Sequence, residues 1–417
     1  MIESLNTTCL CPSLDSARLH ELIRDRIPFA TLPVFVSREH VDEMARVIGA
    51  VEEVVALPAY RDAVLAQAPA IARFDSGALG VFAGYDFHLG TDGPRLIEIN
   101  TNAGGALLNT ALARAQRACC DELAGLESGP IHVERLEQAF FDMFAAEWHR
   151  AGRSGLPRRV AIIDDEPLQQ FLYPEFLLFA QLFRDFGVQA EVLAPQQFSA
   201  EGGIDLVYNR LTDFSLEQPA HAALRQAYLS GAVVVTPNPR AHALWADKRN
   251  LVFLTDEARL RGFGLGEATI RTLRAGIART LPATEELWAE RRKLFFKPAA
   301  GHGSKAAYRG DKLTRRVWAE ILQGSYVAQE LVMPGERRIS PAEVMKVDVR
   351  NYVYSGQVQM LAARLYQGQT TNMRTRGGGF APVLTPPSGA LMGHGAGLDG
   401  VRLVDAEALG EADPALP

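Results

Sequence analysis

Apolar residues recur at three- and four-residue spacing through "SARLHELIRDRI" and "REHVDEMARVIGAVEEVVAL", which predicts helices over residues 16–70. The period then drops to two. "ALGVFAGYDFHLGTDGPRLIEIN" alternates on both sides of the turn signal "GTDG" and predicts a pair of antiparallel strands. Helical spacing returns in "GALLNTALARAQRACCDELAGL" and "VERLEQAFFDMFAAEWHRAG". After the basic, Gly/Pro-containing connector "RAGRSGLPRR", strand and helix patterns alternate from "RVAIIDD" to "AVVVTPNP", as in an α/β layer with parallel strands. "ALWADKRNLVFLTDEARLRG" predicts helix again. Then come a strand, a Gly-rich loop and a second strand in "LFFKPAAGHGSKAAYRG". Antiparallel strands are expected in "SYVAQELV", "AEVMKVDVRNYVYSGQVQMLAARLYQG" and "FAPVL". The chain thus divides into 1–150 (helical, with the strand pair), 151–245 (the α/β layer), 246–390 and a loose Gly/Ala/Pro-rich tail at 391–417.

Composition narrows the classes. With 417 residues, 47% hydrophobic, 22% charged and a net charge of −6, the chain reads as soluble, with two or three domains. That charge argues against a protein built to coat nucleic acid. "MIESLNTTCL" lacks the basic start and apolar core of a signal peptide, and no run approaches the roughly 18 apolar residues of a membrane span. A cytoplasmic, non-membrane protein is expected. Cys9, Cys11, Cys119 and Cys120 lack the usual zinc-ligand spacing and read as reduced thiols.

Four stretches carry chemistry. In "RLIEINTN", period two places Glu98 and Asn100 on one strand face and Ile97 and Ile99 on the other. A regular hairpin centred on Asp92 sets Asp86 opposite Glu98, with His88 on the same face; a bulge would break that register. Two carboxylates and a carboxamide suit Mg²⁺, although an exposed, solvated strand face would also explain them. "FFKPAAGHGSKAAY" delivers Lys297 and then Gly301, Gly303 and Ser304, a loop able to approach phosphate; a Gly-rich hairpin without a ligand is the plainer alternative. It is not a Walker A loop. "YVAQELVMPGE" offers Gln329 and Glu330 as acceptors for a base edge, or simply a strand ending at Pro334-Gly335. Lys346, Asp348 and Arg350 share a strand face, and Arg364, Arg374 and Arg376 follow; arginines suit a transferring phosphoryl group, but mixed-charge faces are commonly just solvated.

Together these stretches resemble the nucleotide-binding half of ATP-grasp ligases. The "EIN" strand precedes the Gly loop, reversing the usual order, as in circularly permuted members such as the glutathionylspermidine synthetases. Those carry "ExN" with an acid a dozen residues earlier, as Asp86 stands before Glu98. "ADKRNLVFL" resembles their first-lysine segment. The chain departs from them at Gly84, where they carry arginine, and at "TNAGG", which replaces a threonine-rich turn, and no amidase domain is expected.

The resemblance implies a mixed α/β, circularly permuted ATP-grasp fold with an added α/β layer at 151–245 on the substrate side, which would carry part of the substrate pocket. It implies ATP and Mg²⁺ as cofactors, the metal being held by Asp86, Glu98 and Asn100. Lys248 and Lys297 would contact phosphates under the 301–304 loop, Gln329, Glu330 and Val332 would line the adenine and ribose pocket, and Arg350 and Arg364 would stabilise the transferring phosphoryl group. The expected reaction joins a small carboxylate to an amine (amino acid, peptide or polyamine) through an acyl phosphate. A small-molecule kinase and a catalytically silent ATP-binding protein are the alternatives. Oligomeric state is left open, a homodimer among the options.

Overall fold

Ser37 accepts a hydrogen bond from the His40 amide at 3.1 Å and so opens the helix Arg38–Ala56. Met44, Val47, Ile48, Val51, Val54 and Val55 make its buried stripe, which packs on one face of a large sheet. The structure, a computed structural model, describes residues 2–9, 29–30, 32–115, 129–299, 306–371 and 375–385. "SARLHELIRDRI", Cys11, Cys119, Cys120, Gly301, Gly303, Ser304, Arg374 and the expected tail lie outside them. Where helix was expected only from residue 16 onward, a short helix spans Ile2–Thr8, tied by paired 2.9 Å bonds between Asn6 and the Phe35 backbone.

In chain order the strands are β1 (Val34–Phe35), β2 (Ala83–Gly90) and β3 (Gly93–Asn100), then β4 (Arg159–Ile163), β5 (Gln189–Leu193), β6 (Leu206–Asn209) and β7 (Val234–Thr236). β8 (Thr280–Pro282), β9 (Leu294–Pro298), β10 (Tyr308–Arg309) and β11 (Tyr326–Glu330) follow. β12 (Gly335–Ser340), β13 (Glu343–Tyr354), β14 (Gln357–Tyr366) and β15 (Gly379–Leu384) complete the set. The large sheet runs β1-β15-β14-β13-β2-β3, with β12 also on β13. β2–β3 from the first third of the chain therefore share one sheet with β12–β15 near its end. A parallel sheet, β5-β4-β6-β7, forms the expected α/β layer. Val160 and Ile162 of β4 face a core shared with the helices Leu136–Arg150 and Tyr173–Asp185, while Ala161 and Ile163 face the helix Ala222–Leu229. Burial on both faces is why this strand reads as an unbroken apolar run. The third sheet, β10-β9-β11-β8, is antiparallel and packs Phe296 and Ala328 against Trp318 and Ile321 of the helix Arg315–Gln323.

Two local readings are corrected. The β2–β3 turn closes with Gly90 opposite Gly93, one residue off the regular hairpin centred on Asp92. A bulge follows, and Asp86 still meets Glu98 because Ile97 is the extra residue that restores the pairing. The bulge also changes the faces. Leu96 and Ile99 enter the core, whereas Ile97 lines the cleft instead of sharing the face of Ile99. Second, the single helix expected over "ALWADKRNLVFLTDEARLRG" is broken into three: a π-helical turn at His242–Ala246, then Arg249–Thr255 and Glu257–Gly262. Asp247 and Asp256 cause the breaks, accepting from the Arg249 amide at 2.9 Å and the Arg259 amide at 3.1 Å.

Candidate active site

A cleft open to solvent lies between the large sheet and the small antiparallel one. From β2, β3 and β14 it receives His88, Glu98, Asn100, Arg364 and Tyr366; from β9 and β11, Lys297 and Gln329; from the turn before the Arg249–Thr255 helix, Lys248. Glu330, Leu331, Val332, Met333 and Pro334 form its far edge.

Asp86 is fully buried behind this wall. Arg350 grips it with two bonds, Nε to Oδ1 at 2.6 Å and Nη2 to Oδ2 at 2.7 Å. Arg364 adds a third, Nη2 to Oδ2 at 2.8 Å, and gives its Nε to Asp348 at 2.6 Å. Cross-strand pairing makes this row: Arg350 stands opposite Asp86, Asp86 opposite Glu98, and Asp348 opposite Arg364. Burial pushes the Asp86 carboxyl up, against the pull of Arg350 and Arg364. For Glu98 burial also acts upward, but Lys248, Lys297 and Arg364 prevail and hold the carboxyl well below its usual range. Glu98 is thus an ionised carboxylate among three cations.

The Asn100 Nδ2 group lies 3.0 Å from Asp86 Oδ2 and 3.2 Å from Glu98 Oε1. A positively polarised group already sits where the two carboxylates converge, which is a place a cation would fit. Among the described residues no three His, Cys, Asp or Glu side chains form a ready-made cage. Mg²⁺ does not need one, since one or two carboxylates plus substrate phosphates suffice. The donor set therefore fits the ion.

Lys297 is buried, and its ammonium donates to the Ile97 carbonyl at 2.9 Å and to Gln329 Oε1 at 2.8 Å. The bulge thus presents a backbone acceptor to a lysine two hundred residues away. Burial pushes Lys297 down to about 8, with Glu98 acting against it. Gln329 is 2% exposed and donates onward to Thr280 Oγ1 at 3.2 Å, so it orients the lysine. Glu330 is exposed at the edge, and Val332 offers its carbonyl 2.8 Å from His88 Nδ1. That bond makes Nδ1 the protonated nitrogen of His88, leaving Nε2 to accept from the Tyr366 hydroxyl at 3.4 Å. The Lys248 backbone amide donates to the Ala299 carbonyl at 3.3 Å, which joins its turn to the end of β9.

Several partners had no assigned role in the sequence. Asp348 shares the face of Arg350 by alternation, the only signal it gave. Thr371 closes the arrangement by donating to Asp348 Oδ2 at 2.6 Å, and Gln369, Thr370 and Thr371 line the cleft. The two departures at Gly84 and "TNAGG" also have physical reasons. A Cβ on Gly84 would lie 3.1 Å from Arg350 Nε and 2.7 Å from the Ala103 Cβ, so Arg350 fills the space a residue-84 side chain would need. A Cβ on Gly105, at φ +99°, would strike the Phe380 ring at 2.4 Å.

No family model matches the sequence, and no curated protein matches it. Solved structures do. A glutathione synthetase-like effector from Globodera pallida, in apo form, superposes with a TM-score of 0.56 at 11% identity over 89% of this chain and 96% of its own. A candidate gamma-glutamylcysteine synthetase from Methylobacillus flagellatus KT gives 0.47 at 10% identity, over 85% and 90% of the two chains. D-cycloserine synthetase gives 0.28 at 18% identity over 42% of this chain and 59% of its own. The protein thus shares the mixed α/β fold of the glutathione synthetase-like effector.

Proposed function

We propose that the protein is an ATP- and Mg²⁺-dependent ligase that joins a carboxylate to an amine and releases ADP and phosphate. The observation that carries this reading is the convergence of Glu98, Asn100, Lys248, Lys297 and Arg364 on one cleft in this fold. Lys248 and Lys297 would bind the phosphates, and the 330–334 edge would take the base. Glu98 and Asn100 would hold Mg²⁺. Asp86, expected from the sequence to be a third ligand, is buried behind them with both oxygens bonded to Arg350 and Arg364, and would act by positioning Asn100. The ion would neutralise charge on the β- and γ-phosphates. Arg364, next to Glu98 at the cleft wall, would meet the transferring phosphoryl group. Arg350, which spends its guanidinium on Asp86, would act through that carboxylate.

In this reading the substrate carboxylate attacks the γ-phosphorus, the β–γ bridging bond breaks and ADP leaves. The amine nitrogen then attacks the acyl carbon, expels phosphate and loses a proton to give the amide. Such chemistry needs positioning and charge neutralisation more than proton transfer, which suits a cleft whose cations outnumber its bases. The test is ADP and phosphate release with paired acid and amine pools, in the wild type and in Glu98→Gln. Release that needs one acceptor only, with a phosphorylated product, would favour a kinase.

A further inference from the structure

Three residues carry the chain from the cleft to the α/β layer. Asn100 faces the cleft, and the Thr101 hydroxyl lies 3.4 Å from His242 Nδ1. Asn102 reaches the end of β6: its Nδ2 donates to the Leu211 carbonyl at 3.1 Å, and its Oδ1 accepts from Arg210 Nη1 at 2.6 Å. The Arg210 amide donates to the Ile163 carbonyl at 2.8 Å, so Arg210 and Asp164 stand side by side at the carboxyl ends of β6 and β4. In the order β5-β4-β6-β7 the chain winds outward in opposite directions from β4 and β6. Parallel sheets open a crevice at such a point, and ligands bind there.

Arg210 is 6% exposed, and its buried Nε has no hydrogen-bond partner. Nη1 is shared between Asn102 and the Tyr208 hydroxyl, the latter at 3.1 Å. A buried guanidinium donor left unmet marks a place for an acceptor from outside. Beside it, Asp164 Oδ1 accepts from the Asp165 amide at 2.9 Å. Buried His221 links Asp165 and Asp213, at 3.0 and 2.8 Å, and so keeps both carboxylates at the same end of the sheet. Arg210 and Asp164 thus meet at the end of the sheet that Asn102 reaches; burial pushes the Asp164 carboxyl up to about 7, against the pull of Arg210, and an ammonium beside it would restore its charge.

We propose that this end of the sheet, between β4 and β6, is a substrate subsite for an α-amino acid or short-peptide terminus carrying both an ammonium and a carboxylate, with Arg210 and Asn102 holding the carboxylate and Asp164 the ammonium. The inference rests on the ligase reading and specifies one of its two substrates. A doubly charged head group matches a site that sets a guanidinium beside a carboxylate; a polyamine would meet Arg210 with like charge.

The test is calorimetric titration of the wild type, with Mg²⁺ and AMP-PNP present, using the common L-amino acids and a set of dipeptides. Each is paired with its α-carboxamide and its des-amino analogue. The expected result is a zwitterion whose two analogues bind at least tenfold more weakly. Arg210→Lys and Asp164→Asn should each weaken that zwitterion at least tenfold, with AMP-PNP affinity unchanged. Asp164→Asn keeps the shape of the side chain and guards against an Arg210 variant that fails to fold. Binding of AMP-PNP without any zwitterion, analogues that bind as well as the parent, or undiminished affinity in Asp164→Asn overturns the subsite alone. Absence of AMP-PNP binding overturns the ligase reading and the subsite with it.

Discussion

At the residue scale the site is built from charges that are buried and paired. Asp86, Arg350, Arg364 and Asp348 form an alternating row with almost no water contact. Removing one member leaves its partners uncompensated, a loss of about 3–5 kcal/mol. Arg364→Met should lower stability by that amount, measured by urea unfolding, whereas a solvated row would lose under about 1 kcal/mol. Lys297 gives a pH signature. Burial pushes its ammonium down to about 8, so the free protein loses this charge as pH rises through that value. AMP-PNP affinity should be flat below pH 8 and fall above it, and Lys297→Arg, which keeps its charge, should move the fall to higher pH. A wild-type affinity that stays level from pH 7 to 9 would remove Lys297 from the phosphate site. Lys297, Glu98 and Asn100 were legible because each ends or punctuates a strand. The duty of Gln329 was not, since its orientation toward Lys297 depends on β9 and β11 pairing.

At the scale of elements, the β2–β3 hairpin shows both what the pattern carried and where it stopped. Alternation and the "GTDG" turn identify two strands, but the regular register they imply is one residue off, and Asp86 meets Glu98 only through the bulge. The bulge at Ile97 left no local mark, because Leu96, Ile97 and Ile99 are all apolar and only packing decides which one faces the cleft. That same residue supplies the carbonyl for Lys297. Gly84 is a second place where neighbours decide. Gly84→Ala would press on Arg350 and Ala103 and should cost about 1–3 kcal/mol. It should also lower turnover by pushing Arg350 off Asp86. Unfolding and nucleotide-release measurements on the one variant read both effects, and unchanged turnover would mean that Arg350 has no positioning role.

At the scale of the whole molecule, the cleft exists because β2–β3 and β12–β15, far apart in sequence, join one sheet while β8–β11 form another facing it. No local period encodes a pairing across some two hundred and sixty residues, such as Asp86 with Arg350. The resemblance to ATP-grasp ligases supplied that long-range information and not the hydrophobic pattern. A nucleotide held between the two sheets should protect amides in both. Hydrogen exchange with AMP-PNP and Mg²⁺ should slow in β3, β9, β11 and β14 and leave β4–β7 unchanged; protection in one sheet only would misplace the nucleotide. At a hundredfold excess over Kd, binding should add about 2.7 kcal/mol of stability.

The most direct test is nucleotide turnover. Purified protein with Mg-ATP and pools of acids and amines should release ADP and phosphate in equal amounts only when both a carboxylate and an amine are present. Glu98→Gln, which keeps the shape and removes the charge, should lower that release by about 100-fold or more. Release that persists in Glu98→Gln, or that needs no amine, would contradict the ligase assignment.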